Sequence, residues 1–495
     1  MNTIINTQPR LNHDILLQAM WACPRDDCAR FMRTCRFLHN HGHRVLLSHD
    51  LHFLQEKDIL RVLEYLQLQN DRRSRHVRSM HLNTGAAELS ESTALALAAA
   101  LPLMHNLQEL LITDSEYLLS SHPDLFRATG ALTTLRSIHL TDMGELAVDM
   151  LQSLRSQLVH IVIDFDTETL EDSGEYLIGF PALPDHSRTT LQEIAIHRWY
   201  ELPDTPASDE QAFVFPETRR LILGQPLRPP LVQWYTCTFP TLSHLSLGAA
   251  ESELEMSDVE DIRQQNISDQ AESGCAWKTL DELNGDLIDV YTLGFTCTVE
   301  HMHLGEIYPN ELQMLGPVLL QARPRELSID KWPAAGRLHD SADDVFVAFR
   351  GQGGARLEEL VMEVELKKGD GEIDISVILE ALLSALATDA PLQALRLDVT
   401  FANVDPRPGE VITRKVSKRS KWRRGDPLRP LPDIEQYPLT VAEQSVVNFD
   451  SRDYVRRFTA AVPTLRIVEI NFSGVRNLYR MTTLVDGEVH VGGSW

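Results

Sequence analysis

The hexapeptide LQELLI, residues 107–112, contains the pattern on which the fold depends. Its apolar residues stand at the first, fourth and sixth positions, and the same apolar-x-x-apolar-x-apolar pattern recurs along the chain. Because the last two apolar positions alternate with polar ones, each copy predicts a short strand with one buried face. Thirteen copies occur, and they start at residues 77, 107, 135, 158, 191, 218, 242, 280, 299, 324, 357, 392 and 465.

The segments between these copies are compatible with helices, most clearly at 91–101, 143–155, 376–387 and 441–462. A strand, a helical return and another strand of the same direction predict a parallel stack and an α/β fold. The copies start mostly 23 to 35 residues apart, and in this spacing and pattern the chain resembles an irregular leucine-rich repeat. The resemblance implies a solenoid of parallel strands with helical or loop returns over residues 76–495.

Three segments depart from this repeat. An acidic insertion at 250–290 is interpreted as a solvated loop or surface helix, although the acidic residues after Ser257 also fit a phosphorylation site. A loop at 403–432 contains the basic run RKVSKRSKWRR, which is typical of a nuclear-import signal, an anion-binding patch or a disordered loop. Residues 474–495 predict a hairpin that caps the last repeat.

Composition limits the class of partner. The chain has 495 residues and a formal charge of −25, which repels nucleic acid and favours a basic partner. Its six cysteines form no CxxC pair, so neither a disulfide framework nor a zinc ribbon is predicted. The first residues lack the pattern of a signal peptide, and no apolar stretch is long enough to span a membrane. We therefore expect a cytoplasmic or nuclear protein that does not act at a membrane.

Residues 9–48 predict a separate module of three short helices. Apolar residues recur on one face of each of the first two helices, as in Leu11, Ile15 and Leu16. A bundle of this size buries too little surface to be stable alone, so one face is expected to dock on a partner. A connecting helix is predicted within 49–75.

This module resembles the F-box, on the residues LNHDIL at 11–16 and DCARFMRTCRF at 27–37. The order of parts, an F-box before leucine-rich repeats, is similar to that of the large sets of F-box proteins in fungi. The resemblance implies a non-catalytic substrate-recognition subunit of a cullin-based ubiquitin ligase, which binds a Skp-type adaptor. The residues that would contact the adaptor are Leu11, Asn12, Ile15, Leu16, Cys28, Cys35 and Phe37.

Two departures from the motif leave an alternative open. Asn12 stands where the F-box has proline, and Cys28 replaces a larger leucine. A leucine-rich-repeat scaffold that binds proteins without a ligase connection would fit these residues as well.

The face of the strands that points away from the helices is the expected target site. Acidic and histidine side chains recur there, which suits a basic protein segment, although charges on an exposed strand face can also serve only to solvate it. The residues at these positions are His81, Glu109, His139, His160, Asp164, Glu193, His197, His244, His301, His303, Glu326, Asp330, Glu359, Glu363 and Asp398.

Signatures of the commonest enzymes are absent: the sequence has no GxSxG, P-loop, GxGxxG or HExxH. A group of histidines at 39–52 with Cys35 offers ligands that zinc prefers, but its spacing matches no common finger. We therefore predict no catalytic residues, no cofactor and no metal, and we keep a hydrolytic or metal enzyme as the remaining alternative.

Overall fold

The computed structural model describes most of the chain in fifteen segments. They are residues 12–67, 73–85, 88–165, 183–199, 214–226, 231–248, 256–333, 346–349, 352–367, 369–387, 391–401, 403–404, 438–474, 479–485 and 487–494. The chain divides into two compact units. The first comprises Met1–Arg228, Cys237–Leu242 and Ala250–Ser252, and the second comprises Pro229–Thr236, Ser243–Ala249 and Glu253–Trp495.

The described residues form a mixed α/β structure with an open, mostly parallel sheet of sixteen strands, whose order in the sheet is their order in the chain. The strands of the first unit are β1 (Leu51–Phe53), β2 (Ser79–Leu82), β3 (Glu109–Ile112), β4 (Ser137–Met143), β5 (His160–Phe165), β6 (Glu193–Trp199) and β7 (Arg220–Pro226). Those of the second unit are β8 (His244–Leu247), β9 (Thr279–Gly285), β10 (Thr298–Glu306), β11 (Glu326–Pro333), β12 (Glu359–Glu365), β13 (Ala394–Phe401), β14 (Ile467–Gly474), β15 (Tyr479–Val485) and β16 (Glu488–Ser494).

Helices precede the first strand and lie in the returns between later strands. In the first unit they are α1 (His13–Trp21), α2 (Arg25–Phe31), α3 (Arg36–His41), α4 (His43–Leu46), α5 (Glu56–Gln67), α6 (Glu91–Ala100), α7 (Ser115–Ser120), α8 (Pro123–Gly130) and α9 (Glu145–Ser153). The helix α10 (Val232–Thr238) has residues in both units. In the second unit they are α11 (Met256–Ser273), α12 (Leu287–Leu293), α13 (Leu312–Ala322), α14 (Ile375–Leu386), α15 (Val441–Asn448) and α16 (Ser451–Ala461).

The apolar positions of the motif build the core. In β4, for example, Ile138 and Leu140 are fully buried and pair in register with Ile161 and Ile163 of β5. The first apolar residue, Leu135, is also buried and anchors the turn that enters the strand. Each of the thirteen copies is a strand, as predicted. Most show the same alternation, but the copy at 191 also buries Ala195 and the copy at 280 ends in the partly exposed Gly285.

One strand was not predicted. The segment 49–75, expected to be a connecting helix, contains both β1 and the helix α5. Leu51 and Phe53 of β1 are buried, and the strand pairs in parallel with β2. The sequence shows only two apolar residues here, without the anchoring residue three positions earlier, so the motif search could not detect it.

The acidic segment, expected to be a solvated loop or surface helix before the motif copy at 280, forms the helix α11, and the copy itself is the strand β9, which α12 follows. The helix α11 buries three polar side chains, Arg263, Asn266 and Gln270. Asn266 donates to the carbonyl of Thr292 at 2.8 Å and Gln270 donates to the carbonyl of Gly294 at 3.0 Å. Polar residues thus occupy buried positions that apolar residues fill elsewhere.

The C-terminal hairpin is confirmed. The strands β15 and β16 run antiparallel to each other, and β15 pairs antiparallel with β14. Asp486 at the turn lies outside the described residues, and so do residues 405–437, which contain the basic run at 414–424.

Candidate protein-binding faces

The helical module is built from α1 to α4 around a small apolar core. Met20, Leu38 and Val45 are buried at its centre, and partly buried apolar side chains surround them. The third predicted helix is divided at Gly42 into α3 and α4. A Cβ at Gly42 would lie 2.5 Å from the carbonyl oxygen of Leu38, so only glycine allows this close packing.

The expected adaptor-binding residues occupy different environments. Asn12 caps α1, where its side chain accepts from the amide of Asp14 at 3.1 Å. Ile15 is 52% exposed, whereas Leu16 is partly buried against the module core. Cys35 is exposed, and Phe37 stacks on His13 with ring centroids 4.0 Å apart. Leu11 lies outside the described residues.

Cys28 is a correction to the expected contact set. Its side chain is fully buried, and Sγ lies 3.0 Å from the carbonyl oxygen of Met20. Burial raises the pKa of this thiol, with further contributions from Cys23 and Asp27. Cys28 therefore packs the module from inside, where a partner protein cannot touch it.

The histidines at 39–52 do not form a metal centre in the described part of the chain, where no cluster of three or more His, Cys, Asp or Glu could hold an ion. His43 is buried, and its Nδ1 has no hydrogen-bond partner among the described residues. Burial, with the nearby His76, Arg73 and Arg44, lowers the pKa of His43 to about 4. It is a packed core side chain.

All fifteen residues predicted for the target face are partly or fully exposed, and each has at least one buried neighbour in the chain. The strand register brings many of them together in pairs across adjacent strands. In the second unit, Nδ1 of His301 lies 2.7 Å from a carboxylate oxygen of Glu326. On the same strands, Nε2 of His303 lies 3.1 Å from Asp330.

Three residues of these pairs, His301, His303 and Glu326, line an open pocket of about 500 Å³ on strands β9 to β12. Its lining includes residues of the face and of the apolar layer beneath it: Glu282, Asn284, His301, Met302, His303, Glu326, Leu327, Ser328, Glu359 and Val361. A pocket of this kind can accept a cationic or amide-bearing side chain, because carboxylates stand on its rim and apolar atoms form its floor.

A row of carboxylates lies beside this pocket, nearer the ends of the strands. Asp330, Glu363 and Asp398 follow one another on β11, β12 and β13, where Glu363 and Asp398 are partners in register. Burial raises the pKa of Glu363, and the nearby Asp398 and Glu365 raise it further, against the opposing effect of Lys331. We call these three residues the acid row.

Asp286, which directly follows β9 as the N-cap residue of α12, lies near the acid row. Its carboxylate lies over Gly305 of β10, since a Cβ at that glycine would meet an Asp286 oxygen at 2.2 Å. Burial raises the pKa of Asp286, and the charges of Glu306 and Asp330 add to this shift. Carboxylates whose charges disfavour one another in this way are stabilised by a cation that binds among them.

The face of the first unit is different, because histidines dominate it. Nδ1 of His52 lies 3.0 Å from Nδ1 of His81, a distance at which one ring donates to the other. The pKa of His139 is lowered by burial first, and then by His197 and His81 against the opposing effect of Asp164. The pKa of His81 is lowered as well, by burial and by His52, so the neutral imidazole is favoured at both His81 and His139.

Arg198 binds two carboxylates at the end of this face where the strands terminate, and we call this contact the arginine clamp. Nε of Arg198 donates to Asp164 at 2.6 Å, and a terminal nitrogen donates to Asp142 at 3.3 Å. Burial and the charge of Asp142 raise the pKa of Asp114, the next acidic residue along this edge. Arg198 thus neutralises the carboxylates that would otherwise make the first face acidic.

Sequence reasoning missed several residues of both faces. His52 was missed because β1 was not predicted, and Glu282 and Asp286 were missed because the copy at 280, LDELNG, has glycine at its last apolar position. Applying the same alternation to every copy would have found Glu282, and also Arg396, which lies 3.5 Å from Glu359. No pattern in the sequence indicates the clamp by Arg198, which depends on a left-handed backbone at that residue.

The described helices include none that is long and apolar enough to cross a membrane. No known family model matches the chain, and no curated protein matches its sequence.

Proposed function

We propose that this chain is a non-catalytic adaptor with the architecture of an irregular leucine-rich-repeat solenoid. Its helical module binds a Skp-type adaptor of a cullin-based ubiquitin ligase, and the open face of its second unit binds a basic segment of a protein target. The regular succession of motif copies, each a parallel strand, supports the solenoid. The resemblance to the F-box and the exposed Ile15 on α1 support the docking of the module.

The observation that carries the proposal is the acid row with its adjoining pocket. Asp330, Glu363 and Asp398 stand on successive strands, and strands in a sheet are about 4.8 Å apart. Burial and neighbouring carboxylates already disfavour the charge of Glu363. A lysine or arginine placed there would gain attraction from several carboxylates and relieve their repulsion, so the face selects basic segments.

The target face is tested with a ten-residue peptide of alternating arginine and threonine. The triple variant Asp330→Asn, Glu363→Gln, Asp398→Asn should bind it on the order of 100-fold more weakly, because each charge pair at 4 Å contributes about 1 kcal/mol in water. Fluorescence anisotropy at low and physiological salt measures the affinity, which should fall as salt screens the charges.

The matched control removes the same charges elsewhere in the second unit. Asp261→Asn, Asp269→Asn and Glu272→Gln lie on α11, away from the strands. This control should bind the peptide as the native chain does. If both triple variants bound the peptide equally weakly, the loss of affinity would be due to net charge alone, and recognition by the acid row would be refuted.

The ligase connection is tested by co-purification of the full chain with a Skp-type adaptor. Ile15→Asp places a charge on the exposed apolar residue of α1 and should abolish binding, since a buried unpaired carboxylate at an interface is strongly unfavourable. Leu95→Asp, at a residue that is 39% exposed on α6, makes the same chemical change outside the module and should leave binding intact.

A scaffold without a ligase connection is the second candidate. Two observations favour it: Cys28 is inside the module, and the side chain of Asn12 is used as the cap of α1. A native chain that fails to bind the Skp-type adaptor but still binds the basic peptide would identify this second function. The two experiments are therefore independent of each other.

A further inference from the structure

A cationic pocket lies in the first unit, at the turns that enter β3, β4 and β5. It has a volume of about 450 Å³ and contains no carboxylate among its lining residues, although the whole chain has a charge of −25. We call it the entry pocket. Its lining residues are His105, Asn106, Gln108, Thr133, Thr134, Leu135, Arg136, Arg155 and Gln157.

The backbone fixes the positions of these residues. The amide of Arg136 donates to the carbonyl of Gln108 at 2.8 Å, and the amide of Val159 donates to the carbonyl of Arg136 at 2.7 Å. Ser156 is buried between the turns, where it donates to Leu132 and accepts from the amide of Leu135. The turns are therefore locked together, and their side chains project from a rigid base.

The polar side chains of the entry pocket are available to a ligand. Within the described residues, the side-chain amides of Gln108 and Gln157 and the hydroxyl of Thr133 have no hydrogen-bond partner. No carboxylate of the described chain lies within ion-pair distance of Arg136 or Arg155 either. Two guanidinium groups, two side-chain amides, a hydroxyl and an imidazole thus surround one space, on a backbone whose turns are held together.

The corresponding turns of the second unit show that this availability is specific to the first. There Arg325 pairs with Glu358 at 2.8 Å and Arg356 pairs with Glu300 at 2.6 Å. The same edge of the sheet thus carries arginines in both units, but Arg136 and Arg155 have no carboxylate partner among the described residues, whereas Arg325 and Arg356 are neutralised by glutamates. An anion can replace the absent carboxylates in the first.

We propose that the entry pocket binds a phosphate oxyanion, either free or carried by a phosphorylated serine or threonine of another protein. Phosphate presents several acceptor oxygens and up to two charges, which matches two arginines together with neutral donors better than a single carboxylate does. The site is separate from the acid row and does not depend on the proposed function. Nucleic acid is disfavoured, because the chain as a whole repels a polyanion.

The test measures binding of inorganic phosphate by calorimetry, and of a labelled glycine–serine peptide with one central phosphoserine by anisotropy, at low salt. The native chain should bind the phosphopeptide at least about tenfold more tightly than the same peptide without phosphate, as charge-assisted hydrogen bonds predict. Arg136→Gln with Arg155→Gln should abolish this difference. Arg325→Gln with Arg356→Gln is the matched control and should retain it.

Each outcome is decisive. Binding of inorganic phosphate that the entry-pocket variant loses supports the site, and displacement of the phosphopeptide by phosphate shows that both sources share it. If inorganic phosphate binds but phosphorylation does not strengthen binding of the peptide, the site binds the free ion. Equal binding by the entry-pocket variant and the native chain overturns the proposal, as does tighter binding of single-stranded RNA than of the phosphopeptide. Melting curves of both double variants verify that they are folded.

Discussion

The open faces of the two units are built from the same strand motif but have different chemistry. On the face of the first unit, His52 and His81 share a hydrogen bond, and Arg198 neutralises the acidic residues at the edge. On the second, the acid row gathers carboxylates whose charges disfavour one another. The buried positions of the motif are apolar in both units, so they do not account for this difference.

This comparison shows that the buried positions of the motif serve folding, whereas the exposed positions between them are free to serve recognition. Residues that alternate with the buried ones can change from histidine to aspartate without changing the strand, because their side chains point to solvent. Each unit can thus present its own ligand preference on the same scaffold. The faces should consequently respond in different ways to loss of a charge and to a change in pH.

The largest effect is expected at the clamp of the first unit. Arg198→Met keeps the aliphatic stem but leaves Asp142 and Asp164 without their cation, which should lower the free energy of unfolding by about 2 kcal/mol. The melting temperature of the first unit, followed by calorimetry, should fall by about 4 °C or more. Asp142 is about a third exposed and Asp164 is less so, and water therefore only partly replaces the arginine.

The matched control for the clamp is Arg325→Met in the second unit. Its partner pair with Glu358 is at the surface, where an ion pair contributes about 0–1 kcal/mol. A melting curve close to that of the native chain is expected. If both variants were equally destabilised, the clamp would have no special role in the first unit.

Most of the fold was predictable from spacing alone. The thirteen copies of the motif identified β2 to β14 because each strand has one buried face, and burial requires apolar residues at alternate positions. The three-residue strand β1 was not predictable, since Leu51 and Phe53 alone do not distinguish a strand from a loop. Its pairing with β2 supplies the stability that its own sequence lacks.

The helix α11 shows a second limit of the sequence. Arg263, Asn266 and Gln270 recur at helical spacing, but polar residues at such positions predict a solvated face. In the structure they are buried and reach backbone groups of neighbouring turns, such as the carbonyl of Gly294. Burial of polar groups is favourable only when partners are present, and those partners are distant in sequence.

The candidate faces were predictable as columns of residues but not as pairs. Alternation places His301 and Glu326 on the same side of the sheet without indicating which carboxylate each histidine meets. The register between strands determines this, and it depends on the packing of the returns. The entry pocket was not predicted, because its residues belong to turns that have no periodic pattern.

The pH response of the first unit is the next prediction. The pKa of His43 is lowered to about 4 in the folded state, against about 6.5 in an unfolded chain. The unfolded state therefore binds more protons between these values, so stability is complete above about pH 6.5 and is lost as the pH falls toward 4. His43→Phe, which keeps a ring at this buried position, should make the melting temperature of the first unit less dependent on pH.

Melting curves at pH 8 and pH 5 measure this dependence. His43→Gln serves as a second variant, because it removes the titrating group without adding apolar volume. Both variants should show a smaller difference between the two pH values than the native chain, whatever their absolute stability. An unchanged difference in both would mean that His43 does not control the acid sensitivity of this unit.

The smallest effect is expected in the acid row, where stability changes with pH in the direction opposite to that at His43. Since the folded state raises the pKa of Glu363, it holds the proton more tightly than the unfolded chain, and stability increases as the pH falls through that raised pKa. Glu363→Gln removes the repulsion at neutral pH and should raise the melting temperature of the second unit at pH 7 by about 1 °C. Glu365→Gln, whose native carboxylate pairs with Lys331 at 3.2 Å, changes the same charge on the same strand and should bring no increase. A gain for Glu365→Gln equal to that for Glu363→Gln would attribute the effect to net charge, because only Glu363 lies between Asp330 and Asp398 in the row.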